Sequence, residues 1–241
     1  MTALVGSYAV KTFVVPVNKT TGAIDANEVR SNDNVLRTAF NAHDANSALH
    51  VQSGLYSARP TSAMAGALYT ATDKDATYFW TGSAWDQIWS GRRYGAWQDS
   101  TTQTTGAANT ATLITFNTTD IPDGVSLVAS SKMTANYPGV YNLQWSGQFV
   151  NTDSQLQDAT VWIRKNGTDV TGSAGQISVP NKHGSVNGHT IAAWNYFIDL
   201  AVNDYIQLYW GASSTTVSLS ATSASSPYPS VASVIATMAK V

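Results

Sequence analysis

The chain has 241 residues, of which 43% are hydrophobic, and this is enough apolar material for one large core or two modest ones. Only 12% of the residues are charged, and the formal net charge at pH 7 is -2. So neutral a chain has no electrostatic basis for binding nucleic acid or inserting into an anionic membrane, and little charge repulsion opposes its self-association.

The chain contains no cysteine, which excludes a disulfide framework and a thiolate metal site. Residues 1–20 lack the basic start and long apolar segment of a signal peptide, and no stretch approaches the length of a membrane span. We therefore do not expect an endogenous secreted protein. The N-x-S/T triplets at Asn18, Asn117 and Asn166 would matter only along a secretory route.

Residues 1–31 carry short apolar patches, which include Phe13 and Val15, followed by a polar segment. This composition predicts an extended N-terminal arm that needs a partner surface, and a frayed terminus is the alternative. Residues 32–60 are predicted to hold a short helix and a linker. The helix is expected over 33–49, with a cap at Asn32 or Asp33 and a narrow apolar stripe. That stripe consists of Val35, Leu36, Ala39, Phe40 and Ala42.

Residues 61–94 predict a small aromatic β-meander, with strands at Leu68–Thr72, Thr77–Trp80 and Ala84–Trp89. A unit of this size is not expected to be stable alone, so its aromatic side chains should pack on the helix or on a symmetry mate. They form either a miniature core or a platform for stacking sugars. The aromatic side chains in question are Tyr78, Trp80, Trp85 and Trp89.

Residues 95–241 predict a β-sandwich of the jelly-roll kind. In 139–150, Tyr141, Leu143, Trp145 and Phe149 share one strand face, and polar residues occupy the other. Asn166-Gly167 predicts a two-residue type I′ hairpin, and Asn203-Asp204 predicts a second tight turn. We expect strands near 96–102, 111–118, 125–132, 139–150, 158–165, 174–179, 190–202, 204–212, 215–221 and 231–240.

Four segments of this domain carry a family resemblance. They are GVYNLQWSGQFV, ATVWIRKNGTDV, YFIDLAVNDYIQLYW, and the loop SPYPSV with the last strand SVIATMAKV. In this order they resemble the trimeric jelly roll of tumour necrosis factor and the globular head of complement's first component, over residues 96–241. The preceding GALYTATDKDATYFWTGSAWDQI resembles a short β module of bacteriophage head-fibre and tail-fibre proteins. The resemblance implies a homotrimer with the jelly roll at its outer end.

Three large aromatic residues fall on the non-core face of their predicted strands, namely Trp162, Tyr205 and Tyr209. A monomer would leave such residues in water, and aromatic residues are favoured at subunit contacts. We therefore predict that they form the trimer interface, with at least Tyr205 and Tyr209 facing the three-fold axis. Ordinary packing on the second sheet is the alternative.

The sequence shows no pattern typical of catalysis. Glu28 is the one glutamate, the aspartates fall mostly in turns, and no P-loop, nucleophile elbow or dinucleotide fingerprint occurs. We expect no enzyme, no cofactor and no metal. His183 and His189 are expected to be exposed loop residues, with a metal site shared by three copies as the alternative. Together with Tyr228, they are candidates for an outer-loop contact.

These features predict a virion structural protein of a tailed bacteriophage, a trimeric decoration or cement protein (a head fibre) on the capsid surface. Its N-terminal region, through Phe13, Val15 and Phe40, would be anchored to the major capsid protein, with the jelly roll outward. The alternative is a receptor-binding tail fibre or adhesin tip that binds a host surface glycan. A third interpretation, a cytokine-like or complement-like extracellular ligand, is disfavoured by the absence of a signal-peptide pattern.

Overall fold

The computed structural model describes residues 26–44 and 51–241, with helix side chains described from Arg30 to His43. The predicted anchor residues Phe13 and Val15 lie outside the described residues, and so do residues 45–49 of the predicted helix. Within the described ranges the chain is mainly β, with a single α-helix, as the sequence predicts.

The helix α1 spans Ala26–Asp44 and begins seven residues earlier than predicted. Residues 26–31 are therefore helical and not part of an extended arm. Asn32 and Asp33 lie inside the helix instead of capping it. No glycine or proline interrupts this segment, so it contains none of the strongest helix breakers. Within the helix, Arg37 pairs with Asp33 at 3.1 Å, one turn apart.

A small sheet follows the helix, and its four strands are ordered β1-β2-β3-β4. The strands β2 to β4 form the predicted antiparallel meander, whereas β1 pairs in parallel with β2. The sequence predicts a linker at β1, because the residues Gln-Ser-Gly carry no strand signal. The strands are β1 (Gln52–Gly54), β2 (Leu68–Ala71), β3 (Ala76–Trp80) and β4 (Trp85–Ser90).

The aromatic residues of the small sheet form its own core. The Trp85 ring packs between Tyr69 and Trp80, with ring centroids 6.0 Å and 5.3 Å away, and its indole N–H donates to the Pro60 carbonyl. Tyr78 is also buried, whereas Trp89 is 53% exposed. Tyr78, Trp80 and Trp85 therefore belong to a miniature core, as one of the two interpretations predicts, whereas Trp89 lies outside that core.

Fourteen strands build the C-terminal sandwich. They are β5 (Tyr94–Asp99), β6 (Gln103–Thr104), β7 (Thr112–Leu113), β8 (Thr118–Asp123), β9 (Val125–Val128), β10 (Lys132–Ala135), β11 (Gly139–Asn151), β12 (Gln157–Lys165), β13 (Thr168–Asp169), β14 (Gly175–Val179), β15 (Gly188–Leu200), β16 (Tyr205–Ala212), β17 (Val217–Leu219) and β18 (Val234–Lys240).

The strands form two seven-stranded sheets. Sheet 1 has the order β6-β17-β11-β18-β5-β8, with β15 on the other side of β11. Sheet 2 has the order β13-β12-β16-β10-β9, with β14 on β12 and β7 on β16. The chain passes repeatedly from one sheet to the other, and the first and last strands of the sandwich, β5 and β18, are neighbours. This alternation of antiparallel strands is that of a jelly roll.

The sandwich core lies between the inner faces of the two sheets. Tyr141, Leu143, Trp145 and Phe149 point inward from β11, as their alternation predicts. The Phe149 ring contacts Trp210 of the opposite sheet edge to face, with centroids 5.8 Å apart. Because this core is continuous and fully buried, the outer faces of the two sheets are left to carry function.

Two turn predictions are confirmed and two strand predictions are wrong. Asn166 and Gly167 both have positive φ angles, 50° and 83°, as a type I′ turn requires, and Asn203 has φ 68°. The predicted strand 111–118 is interrupted, because β7 ends at Leu113, residues 114–117 belong to no strand, and β8 begins at Thr118. The predicted strand 125–132 is instead the hairpin β9–β10, which turns at Ala129 and Ser130, both with positive φ. Alanine and serine rarely adopt this conformation, so the turn carries no sequence signal.

The small sheet and the longest loops lie at opposite ends of the sandwich. Near the start of β11, the Arg93 guanidinium pairs with Asp75 at 3.1 Å, and the Lys240 ammonium donates to the Lys74 carbonyl at 3.2 Å. Loop 180–187 leads into Gly188, which pairs with the last residue of β11. Loop 220–233 follows β17, which also pairs with the end of β11. The sandwich thus has a proximal end and a distal end.

Candidate functional site

The outer face of sheet 1 carries large apolar side chains with no cover. Ile191 is 64% exposed and Phe197 is 55% exposed, and both project outward from β15. Val140 of β11 and Ile235 of β18 are exposed on the same face. In a packed jelly roll, the alternate residues of a strand on a solvated face are ordinarily polar. This face therefore resembles a contact surface more than a solvated one.

A shallow depression lies near the middle of this face. Ser146 pairs with Ala193 on one side and with Ile235 on the other, so two small side chains lie beside a larger apolar one. The depression has a volume of about 480 Å³. Its outward-facing lining consists of Gln144, Ser146, Ala193, Asn195, Ile235 and Thr237.

The strand β15 also borders this face as a free edge. All 13 of its residues pair with β11, and no strand among the described residues pairs with its other side. Of the outward positions of β11, β15 and β18, Asp199 alone holds an aspartate, glutamate, lysine or arginine. We call the outer faces of these three strands, together with the β15 edge, the apolar face.

The predicted interface residues Trp162, Tyr205 and Tyr209 lie on the outer face of sheet 2, on the other side of the sandwich. They are half-buried and have partners within the chain. The Trp162 and Tyr209 rings stack with centroids 6.0 Å apart. The Arg164 guanidinium lies 4.0 Å from the Tyr209 centroid, and the Lys132 ammonium lies 4.6 Å from that of Tyr205.

The carboxylate of Asp169 also contacts the side chains of this face. Both the Trp162 indole N–H and the Arg164 Nε–H donate to one oxygen of Asp169, at 2.7 Å and 2.6 Å. The hydrogen bonds from Arg164 and Trp162 hold the pKa of the Asp169 carboxyl below its ordinary value. These aromatic rings are thus ordered by their own chain. Their assignment to a trimer interface stays a prediction.

The candidate outer-loop residues lie at the distal end. Tyr228 is 73% exposed on a tight turn, in which the Ser225 and Tyr228 backbones exchange hydrogen bonds. His183 exchanges backbone hydrogen bonds with Val186 in loop 180–187. The loop prediction is wrong for His189, which lies on β15 opposite Val150. In the described part of the chain, no group of three or more histidine, cysteine or acidic residues is arranged to hold a metal ion.

Of the predicted anchor residues, Phe40 is described, and it lies in the apolar stripe of the helix. Phe40 is 72% exposed and Leu36 is 54% exposed, whereas Val35 is half-buried. A stripe at this helical spacing is typical of a surface that packs against another element. No helix in residues 26–44 or 51–241 has the length and apolar character needed to cross a membrane.

Sequence reasoning missed the exposed residues of the apolar face. A signal was available, because β15 carries large apolar residues at both parities: Ile191 and Phe197 at odd positions, and Trp194, Tyr196 and Ile198 at even ones. A strand that is apolar on both sides is expected to be covered on both sides.

No protein-family model matches the chain, and no curated protein matches it. Among solved structures, the crystal structure of murine APRIL, a jelly roll of the tumour necrosis factor family, is similar at 10% sequence identity. The match covers 63% of this chain and 100% of the APRIL chain, with a TM-score of 0.40.

Proposed function

We propose that the chain is a non-catalytic structural protein of a tailed bacteriophage virion, a trimeric decoration protein on the capsid surface. The main observation in favour of self-association is the exposed apolar face. A solitary chain leaves Ile191 and Phe197 more than half exposed on the edge strand of a regular sheet. Exposed apolar patches of this kind are typical of protein–protein contacts.

A second copy of the chain suits this face. Two neutral apolar surfaces approach without charge repulsion, and their contact contributes about 25 cal/mol for each Å² of apolar area buried, before the cost of association. The free edge of β15 in one copy and the sheet face of the next would make a head-to-tail contact, which gives a closed ring when the rotation between copies divides a full turn evenly. The resemblance to the tumour necrosis factor jelly roll supports a ring of three.

The placement on a phage capsid is supported by the resemblance of residues 66–88 to the short β module of phage fibre proteins. The exposed Leu36 and Phe40 supply an apolar stripe for contact with a major capsid protein. The helix precedes the small sheet in the chain, and the small sheet lies at the proximal end, so the distal loops would point outward. Three copies would multiply modest contacts with the shell through valency.

The oligomeric state is tested first on the purified full chain. Light scattering coupled to size-exclusion chromatography should give a mass three times that of one chain, unchanged over a tenfold dilution. A stable single-chain species would contradict the proposed self-association.

The capsid role is tested on particles that lack the protein. Adding back the wild-type chain should raise the temperature at which the particles release DNA. Phe40→Asp should abolish this effect and leave the trimer mass unchanged, because it alters only the exposed helix stripe. Asn41→Asp, at the neighbouring exposed helix position, is the matched control and should restore particle stability. Particles equally stable with and without the protein would remove the cement role.

A second candidate is a receptor-binding tail fibre, and the 73% exposure of Tyr228 at the distal end favours it. The two functions differ in copy number. Quantitative gel densitometry of intact particles should show many copies, in proportion to the capsid protein, for a decoration protein. A few copies per particle, located at the tail in micrographs, would favour the fibre.

A further inference from the structure

A second depression lies on the outer face of sheet 2, with a volume of about 320 Å³. Its floor is made by Thr160 of β12, which pairs with Gly211 on one side and with Gln176 on the other. Trp162 bounds it at one end along β12, and Asp158 bounds it at the other. This volume is at the lower end of typical small-ligand pockets, which range over about 300–1,000 Å³.

The hollow depends on a missing side chain at Gly211. The φ angle of Gly211 is not in the left-handed region, so the backbone does not require glycine here. A Cβ at this position would lie 3.1 Å from the Thr110 carbonyl oxygen, at the edge of the depression. The preceding outward residue on β16 is Tyr209, a large ring. The change from tyrosine to glycine along one strand face therefore creates the space beside Trp162.

The aromatic wall is held in a single orientation before any ligand arrives. The Trp162 indole N–H donates to Asp169 at 2.7 Å, and its ring stacks on Tyr209. The Arg164 guanidinium in turn covers Tyr209. An aromatic ring that is already ordered loses little conformational entropy on binding, so it is a good contact surface for a weak ligand.

The opposite wall is polar and also ordered. The Ser178 hydroxyl donates to one Asp158 carboxylate oxygen at 2.7 Å, and the Ser213 hydroxyl accepts from the Asp158 backbone N–H at 2.9 Å. The side chains of Gln176 and Asn109 are exposed at the rim. A carboxylate only accepts hydrogen bonds, whereas an amide both donates and accepts. The wall therefore offers one oriented carboxylate and two exposed amides to the hydroxyl groups of a ligand.

From this arrangement we infer that the depression binds a neutral hexose unit of a glycan. The apolar C–H face of the sugar ring packs on the Trp162 indole, a hydroxyl donates to Asp158, and Gln176 binds a further hydroxyl. Asp158 is the single charged residue in the lining, so an acidic sugar meets a like charge and no cation. The binding needs no metal, because one carboxylate does not make a cation site.

This site goes beyond the proposed structural role and does not depend on it. It lies on the outer face of sheet 2, whereas the proposed subunit contact uses sheet 1, so assembly through the apolar face leaves it open. It is also distinct from the distal-end residues His183, His189 and Tyr228.

The test is a titration of the full-length protein with glucose, galactose, mannose and N-acetylglucosamine, followed by saturation-transfer NMR and by tryptophan fluorescence. At least one of these neutral sugars should bind with a dissociation constant of roughly 1 mM or below. Glucuronic acid should bind at least tenfold more weakly than glucose, and chelator should have no effect. No saturable binding of any neutral sugar, or equal binding of glucuronic acid, would overturn the inference.

Variants locate the binding. Trp162→Ala should weaken it at least tenfold, and Gly211→Val should abolish it by filling the depression. Trp89→Ala is the matched control, since it removes an exposed tryptophan from the small sheet and should change nothing. Tyr228→Ala should also bind normally, and a loss of binding there would move the site to the distal loops. Each variant is also measured by light scattering, and a Trp162→Ala protein that loses its trimer mass would assign this residue to the interface instead.

Discussion

The two outer faces of the sandwich both carry large side chains outside the core, but they differ in how these side chains are covered. On sheet 2, Arg164, Lys132 and Asp169 cover the aromatic rings with charges from the same chain. On sheet 1, Ile191 and Phe197 have no such cover. The two faces therefore differ in whether their large side chains have intrachain partners, and the variants below test which of them forms a subunit contact.

The largest expected effect comes from placing a charge on the apolar face. Phe197→Asp should convert the proposed trimer to a single-chain species, because an unpaired carboxylate in a buried contact carries a large desolvation cost. Light scattering gives the mass directly.

The control for this variant is Val186→Asp, an equally apolar and exposed position in the distal loop, which should keep the trimer mass. Tyr209→Asp supplies the comparison between faces and should also keep it. A trimer that survives Phe197→Asp and dissociates in Tyr209→Asp would place the interface on sheet 2, as the sequence predicts.

Acid is expected to have a smaller effect, a loss of stability at Asp204, which lies at the proximal end of the sandwich between Lys165 of β12 and the start of β16. The carboxylate of Asp204 accepts hydrogen bonds from the Asn166 side chain at 2.7 Å and from the Ala201 N–H at 2.9 Å, and it pairs with Lys165 at 3.0 Å. Burial by itself would raise the pKa of Asp204, but these partners outweigh it and lower the pKa below its ordinary value of 3.8.

The sign of the pH dependence follows from this lowered pKa. The contribution of Asp204 to stability is complete above pH 3.8 and is lost as the pH falls through the lower pKa of the folded state. Asp204→Asn should lower the free energy of unfolding at pH 7 by about 1–2 kcal/mol. It should also flatten the acid limb of the stability curve, measured by urea unfolding from pH 7 to pH 2. Parallel curves for wild type and variant would contradict the assignment.

The smallest expected effect is on the covered face itself. Arg164→Ala removes the guanidinium from the Tyr209 ring and the ion pair with Asp169, and it should lower the free energy of unfolding by about 1 kcal/mol. The trimer mass should not change. Arg164→Lys, which keeps the charge and loses the planar contact, should recover only part of the stability. A fully recovered Arg164→Lys protein would show that charge alone matters at this position.

Several parts of the fold could be predicted because their signals are local. The alternation of Tyr141, Leu143, Trp145 and Phe149 predicts one buried strand face, and Asn166-Gly167 predicts its turn from backbone preference alone. The hairpin at Ala129 and Ser130 could not be predicted, because its positive φ angles are imposed by the pairing of β9 with β10. The start of the helix at Ala26 was missed because Asn32 and Asp33 are good capping residues whose position inside a longer helix has no local signal.

The candidate sites were less predictable than the fold. Trp162 and Tyr209 could be placed on an outer face from their parity, but not their cover by Arg164 and Asp169, since that depends on how β12, β13 and β16 are aligned. The sugar-sized depression combines residues from four separate segments, Asn109, Asp158, Gln176 and Gly211. No spacing in the chain relates them.

The amino-acid sequence by itself determined a mainly β chain with one helix, an aromatic meander and a jelly roll, because side-chain alternation and turn residues act over a few neighbouring positions. Only the tertiary structure decided which outer face is left apolar and which is covered. The exposure of each face depends on strand order and register, which bring together residues far apart in the chain. Whether a side chain is buried is decided by those neighbours and not by its own residue type.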